Sequence, residues 1–279
     1  MNPFPGASIL GKVMGHILID GLSKEYTERR ANPRRFNGDG NGGRGERLLV
    51  LDQIDLEFNN GELVCILGPS GCGKSTLVRI LAGFEESTSG KVLIDGKEVR
   101  GPSSDHIFVF QHSGLLPWLT VWGNVSLGVR KMKDKDKMGD LVQQNIDIVG
   151  LTGFEHLYPH QLSGGMQRRA ELARALVVNP DILFMDEPFA GLDFLTRVNL
   201  REEIINMHML IKKTIIFITH DIDEALIMGD RLVVFSDQPA KVKLALPMNC
   251  SHPRDFSKDS RLSDLRKDIY RALGVHYAL

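Results

Sequence analysis

The segment Gly68-Pro69-Ser70-Gly71-Cys72-Gly73-Lys74-Ser75-Thr76 constrains what this chain can fold into more than any other stretch. It fits G-x-x-x-x-G-K-[ST], and it stands where that pattern has physical meaning: after the largely apolar run 62–67 and before helical spacing over 76–82. A short continuous apolar run is the pattern of a strand buried on both faces, so the segment is expected to join an inner strand to a helix. Its glycines let successive backbone N–H groups converge on an anion without Cβ interference. The helix opening at Ser75 and Thr76 adds the positive end of its dipole. The segment therefore predicts a phosphate cradle, with Lys74 reaching the terminal phosphates and the Ser75 hydroxyl placed to ligate Mg²⁺.

The rest of the chain alternates in kind. Residues 16–22, 48–58, 91–94, 107–110, 182–185 and 214–219 read as strands, and 140–149 and 166–178 have helical apolar spacing. After Ser260, Leu262, Leu265, Ile269 and Leu273 fall on one helical face. Strands alternating with helices imply an α/β chain with a mostly parallel sheet. Its expected organisation is an N-terminal extension 1–15, a main domain 16–245 and a helical tail 246–279, with the helix-rich stretch 112–179 inserted into the sheet domain. Residues 27–47 carry Gly38, Gly40, Gly42, Gly43 and Gly45 among six arginines and cannot bury apolar surface. A solvated hairpin insertion is the simpler reading of that stretch; a nucleic-acid or lipid role for its arginines is the other.

Composition excludes more than it selects. A net charge of −1 gives no global attraction to nucleic acid or anionic membrane. Cys65, Cys72 and Cys250 are odd in number and widely spaced, which argues against a disulfide framework and suits a reducing compartment. Cys72 reads as a small tolerated residue rather than a reactive thiol. No stretch reaches the roughly 18 apolar residues that span a bilayer. Residues 1–15 lack a basic n-region, so a cytoplasmic protein is expected unless a partner holds it at a membrane.

Three further groups carry chemistry. Ile182-Leu183-Phe184-Met185 is a buried strand ending in Asp186 and Glu187, and the C-terminal ends of parallel strands face the ligand side of an open α/β sheet. Asp186 is placed to hold Mg²⁺ and Glu187 to polarise an attacking water. His220 follows the strand 214–219 and should emerge at the same edge, where it can contact a γ-phosphate or orient the water. Leu162-Ser163-Gly164-Gly165-Met166-Gln167 opens a helix, with Ser163 as N-cap and exposed glycine amides, which makes a second anion-binding terminus. Spacing alone does not say whether the two termini serve one nucleotide or two.

Taken in order, these residues resemble the ATP-binding subunits of ABC transporters. Residues 68–76 look like the Walker A loop, Gln111 the Q-loop glutamine, 162–167 the signature motif and 182–187 Walker B. Leu192-Asp193 resembles the end of the D-loop and His220 the switch histidine, so the likeness covers about 17–234. It implies a P-loop NTPase (RecA-like) core with an antiparallel β subdomain and an inserted α-helical subdomain. It also implies an ATPase using ATP and Mg²⁺, with Glu187, His220 and Gln111 catalytic and Ser75, Gln111 and Asp186 at the metal. Nucleotide contacts fall to Gly68, Pro69, Ser70, Gly71, Cys72, Gly73, Lys74, Ser75 and Thr76, and to Ser163, Gly164, Gly165 and Met166. Tyr26 resembles the aromatic that stacks on adenine. The implied assembly is a head-to-tail pair with a second ATP-binding subunit, identical or paralogous. ATP would lie between the Walker loop of one subunit and 163–165 of the other, on the cytoplasmic face of the cell membrane. Transmembrane permease subunits are direct partners, an extracytoplasmic solute-binding protein is an indirect one, and nucleic acid is not expected.

A narrower likeness follows Gln111. Leu115-Leu116-Pro117-Trp118-Leu119-Thr120-Val121-Trp122-Gly123-Asn124-Val125 is similar to the branch importing nitrate, sulfonates, taurine and bicarbonate, as are Glu187-Pro188-Phe189 and Pro253-Arg254-Asp255. In that family this region receives a short helix of the membrane subunit; ordinary subdomain core is the alternative for its apolar residues. There are departures. Met166 stands where many relatives have Gln, Gln167-Arg168-Arg169 permutes the usual Arg-Gln-Arg, and Ala190-Gly191 interchanges the expected pair. The competing function is a soluble ABC-type ATPase acting on DNA or ribosomes. Such proteins usually carry two cassettes or a long coiled coil, whereas this chain has one Walker loop and no sustained heptads. A nucleotide-gated scaffold without turnover is disfavoured by the intact Glu187 and His220.

Overall fold

A computed structural model describes residues 14–27, 47–110, 114–256 and 258–274. Gln111 and most of the Gly/Arg-rich stretch lie outside the described residues. In chain order the first elements are β1 (Ile17–Thr27), β2 (Arg47–Phe58), β3 (Leu63–Leu67), α1 (Lys74–Leu81), β4 (Ser89–Ile94), β5 (Lys97–Glu98) and β6 (His106–Val109). Three helices follow: α2 (Val121–Ser126), α3 (Lys135–Ile148) and α4 (Gly164–Leu176). Then come β7 (Ile182–Asp186), α5 (Phe194–Ile211), β8 (Thr214–Ile218), α6 (Ile222–Met228), β9 (Arg231–Phe235), β10 (Val242–Pro247) and α7 (Ser260–Leu273).

The central sheet has the order β10-β9-β3-β8-β7-β6, parallel except for the antiparallel edge strand β10. Every residue of β3, β7 and β8 is buried, which is why these strands read as unbroken apolar runs. Their side chains still alternate. Val64, Ile66, Phe184 and Ile218 face one way, packing with Leu77 and Leu81 of α1 and with Ile17, Ile54 and Phe58 of a second sheet. Leu63, Cys65, Met185 and Phe217 face the other, against Leu172 of α4, Leu200 of α5, Leu226 of α6 and Leu262 of α7. Each such side chain contributes roughly 1.5–3 kcal/mol by leaving water, so both faces hold the strands in one register.

The second sheet is antiparallel, in the order β2-β1-β4-β5. β1 runs to Thr27, five residues past the expected end, because its pairing with β2 continues through Tyr26↔Leu48 to Thr27↔Arg47. Residues 28–46 thus join two paired strand ends. α2, α3 and α4 lie between β6 and β7 in sequence, and Val121, Val125, Val142 and Ile146 close a common core with α4. The charge run 131–137 divides at Asp134, whose carboxylate accepts the Lys137 N–H and caps α3. α1 begins at Lys74 and α4 at Gly164, each two residues earlier than the apolar spacing suggests. The tail helix forms as its pattern predicts, burying Leu262 and Ile269. Among the described residues, no helix is long and apolar enough to cross a membrane.

Candidate functional site

The loop after β3 folds back through two left-handed glycines, Gly71 (φ 78°) and Gly73 (φ 121°). A Cβ on Gly73 would lie 2.9 Å from both the Val50 and Leu51 side chains, so space as well as φ reserves that position for glycine. No side chain caps α1, which leaves the first amides of the helix free for an anion. The buried Lys74 ammonium donates to the carbonyls of Gly68 (2.8 Å) and Pro69 (2.9 Å), lying inside the turn. Cys72 is buried beside it, and burial pushes its thiol above the ordinary value, which disfavours the thiolate.

Ser75 links this loop to the acids of β7: its hydroxyl donates to Asp186 Oδ1 at 3.1 Å. Asp186 is only 7 % exposed. Burial, reinforced by the neighbouring Glu187 charge, raises its pKa, while the Ser75 hydrogen bond opposes the rise. Glu187 has φ 44°, unusual for a side chain of this size, and is held there at both ends of its peptide unit. Its N–H donates to Ile218 O (3.1 Å) and its carbonyl accepts from Ala190 N. The turn brings its carboxylate to His220, with Nδ1 3.4 Å from Oε1. His220 is placed by two local bonds: Asp221 N–H donates to the Thr219 hydroxyl, and the Asp221 carboxylate caps α6. The resulting cleft of about 170 Å³ is lined by Glu187, Phe189, Arg197, Thr219, His220 and Glu224.

The sequence-predicted residues fall into two groups. Ser75, Lys74, Asp186, Glu187 and His220 meet at the C-terminal edge of β3, β7 and β8. Tyr26 joins them from the antiparallel sheet, its hydroxyl 3.5 Å from Thr76 Oγ1 and its ring under Lys24 Nζ at 5.0 Å. Ser163, Gly164, Gly165 and Met166 are elsewhere. Ser163 caps α4 by accepting the Met166 N–H at 3.3 Å, and a Cβ on Gly165 would collide with the Thr196 methyl of α5. α4 packs on the sheet face opposite α1, so the two helices that these residues open belong to different core layers. Gln111 lies outside the described residues.

Two sequence departures have structural causes. Gly191 takes φ 76°, so the glycine of the interchanged pair sits where the chain turns left-handed. Arg168, which replaces the middle glutamine, is 5 % exposed and paired with Glu171, itself 4 % exposed. Sequence reasoning missed this pair; its i,i+3 spacing was visible, but its burial was not. Arg197, which faces Asp221 and Glu224 across the cleft, was missed because α5 itself went unrecognised.

The donor set suits magnesium. No group of three or more potential metal ligands occurs among the described residues. Mg²⁺ in nucleotide sites typically takes one carboxylate or hydroxyl set plus phosphate oxygens and waters, which Ser75 and Asp186 match.

Comparison with known proteins shows the family to which such a chain belongs. The family described as ABC transporter matches residues 51–190. An uncharacterized ABC transporter ATP-binding protein from Methanocaldococcus jannaschii is 47 % identical over 230 residues, covering 82 % of this chain and 86 % of its own length. The aliphatic sulfonates import ATP-binding protein SsuB of Bacillus cereus is 38 % identical, covering 91 % of this chain and 94 % of its own. The nitrate import ATP-binding protein NrtD of Synechococcus elongatus is 38 % identical, covering 82 % and 86 %. Two solved structures of the cassette MJ0796 superpose with TM-scores of 0.69, each covering 84 % of this chain and all of its own. Both are dimeric, 28 % and 27 % identical, and the second is a post-hydrolysis state bound to ADP and Pi.

Proposed function

We propose, from the premise that this chain belongs to the ABC transporter family of ATP-binding proteins, that it is the ATP-hydrolysing motor of an importer for a small oxyanion or sulfonate-like solute. The observation that carries the reading is the Ser75–Asp186 hydrogen bond with Glu187 and His220 beside it. Phosphate grip, metal ligands and general base thereby share one strand edge.

In this reading the 68–76 amides and Lys74 hold the terminal phosphates, and Lys74 exchanges its two carbonyl partners for phosphate oxygens. Ser75 and Asp186 would hold Mg²⁺, which would neutralise phosphate charge when bound. Glu187 accepts a proton from the attacking water, and His220 orients that water or contacts the γ-phosphate. Tyr26 stacks on the adenine. Ser163, Gly164, Gly165 and Met166 act on the nucleotide of a second subunit, for which their separation from α1 within one chain is the support. ATP binding then favours the closed pair and hydrolysis removes the charge that bridges it.

The solute class rests on the named functions of the relatives. Trp118, 68 % exposed beside the exposed Pro117, supports a docking surface for a permease helix, which would hold the chain at the cytoplasmic membrane face. Trp122 packs inward and belongs to the helical core instead. The test of the catalytic reading is Glu187→Gln. Turnover of ATP should fall by about 100-fold or more, the scale of general-base catalysis, while Mg-ATP affinity is retained. Unchanged turnover would overturn it.

A further inference from the structure

We propose that Arg168 and Glu171 are positioning residues for Glu187, holding the carbonyl of the next residue, Pro188, and fastening it to Gly114. This rests on the reading of Glu187 as the base.

Arg168 sits on the second turn of α4 and Glu171 about one turn later. Arg168 Nε donates to Pro188 O at 2.7 Å, and its Nη1 donates to Glu171 Oε2. The second Glu171 oxygen, Oε1, accepts the Gly114 N–H. Arg174, another turn on, donates to Gly114 O at 2.8 Å, so α4 grips both polar groups of one peptide segment. Arg174 also reaches Asn124 Oδ1 at 3.5 Å. Asn124 in turn binds the backbone of Leu116, Leu119 and Thr120, the residues flanking exposed Trp118. An unbroken series of hydrogen bonds thus runs from the Pro188 carbonyl to the Trp118 surface.

The buried pair has a specific cost that a packing role would not require. Two charges removed from water stabilise little on balance compared with apolar residues of equal volume, so their retention calls for a geometric task. The task is visible at Glu187. Its φ of 44° is sparsely populated; its own N–H and carbonyl are bonded to Ile218 and Ala190, and Arg168 adds a hold on the next carbonyl along the turn, that of Pro188. A bidentate guanidinium can hold the Pro188 carbonyl and Glu171 together; a single amide or ammonium cannot do so with the same direction.

The experiment compares Arg168→Gln, Glu171→Gln and the double variant in the purified full chain, with Glu187→Gln as reference. Each single variant leaves one buried group uncompensated and should lower the thermal midpoint. The double variant removes both charges and should regain most of it. If the pair positions Glu187, the double variant keeps Mg-ATP affinity within about twofold while kcat falls by about tenfold or more, a split that packing loss does not produce. A double variant that folds with parental kcat, or one whose kcat and nucleotide affinity fall together, overturns the proposal. Arg168→Lys supplies a folded test should the double variant be unstable: it keeps the charge and should show the same kcat loss, and parental kcat there also overturns it. If Glu187→Gln itself retains turnover, the catalytic reading fails instead, so the two failures are distinguishable.

Discussion

Lys74 has its charge almost wholly withdrawn from water, with two loop carbonyls as partners. Such a cation binds a phosphate strongly because it has little solvation left to lose. Lys74→Ala should therefore weaken Mg-ATP binding by roughly 10- to 100-fold, the scale of a charge-assisted hydrogen bond, as read by nucleotide titration. Asp186 makes a pH prediction. Its raised pKa means that folding favours its protonated form. Its contribution to stability is accordingly present below the ordinary carboxylate range and is lost as pH rises through the raised value. Metal ligation has the opposite sign, because the ligand is the carboxylate. Mg²⁺-dependent nucleotide binding should decline on acidification at a higher pH than an ordinary aspartate would give, and Asp186→Asn should remove that acid limb along with most of the Mg²⁺ response. A binding profile flat through the weakly acidic range would contradict the assignment.

At the scale of elements, Asp230 ties three pieces together where α6 meets β9. Its carboxylate accepts the Leu63 N–H of β3 and a hydrogen bond from His208 of α5, both at 3.0 Å, with His252 of the tail segment 3.7 Å away. Burial pushes its pKa up, but the hydrogen bonds from His208 and Leu63, with the His252 ring beside them, outweigh it and hold the pKa far below the usual range. Stability from this group is thus full above the ordinary carboxylate pKa and is lost as pH falls toward the depressed one. Asp230→Ala should cost about 1–3 kcal/mol at neutral pH and flatten the acid side of the stability profile, measured by denaturant unfolding. At the α2 entrance, Trp118→Ala should reduce recruitment to membranes bearing the permease while leaving Mg-ATP affinity intact; equal fractionation of variant and parent would remove the docking role. The elements nearest the phosphate loop were legible in sequence because burial on both faces leaves unbroken runs such as 182–185, and because Gly73 and Ser163 obey local rules. α5 was not. Its buried Leu200, Ile204 and Ile205 are mixed with exposed Phe194, Leu195 and Leu210, which blurs the single apolar stripe on which such a reading depends. The Arg168–Glu171 pair was equally hidden, since charged residues at helical spacing look solvated until the fold buries them.

For the whole molecule, the antiparallel sheet, the parallel core and the α2–α4 helices converge so that β3, β7 and β8 deliver their C-terminal ends to one edge, while α4 packs on the sheet face opposite α1. In the proposed function each nucleotide site is completed by a second subunit in head-to-tail array. Glu187→Gln should gather a closed Mg-ATP-bound pair, with this chain or a paralogue as partner; a substituent too large for the signature turn, Ser163→Arg, should abolish pairing without loss of nucleotide binding. All of this depends on the phosphate cradle beside the β7 acids. Calorimetric titration of Mg-ATP into the full chain, beside Lys74→Ala, tests it most directly. Saturable heat at one nucleotide per chain, largely lost in the variant, is the expected result. No heat with the parent, or equal heat with both, would contradict it.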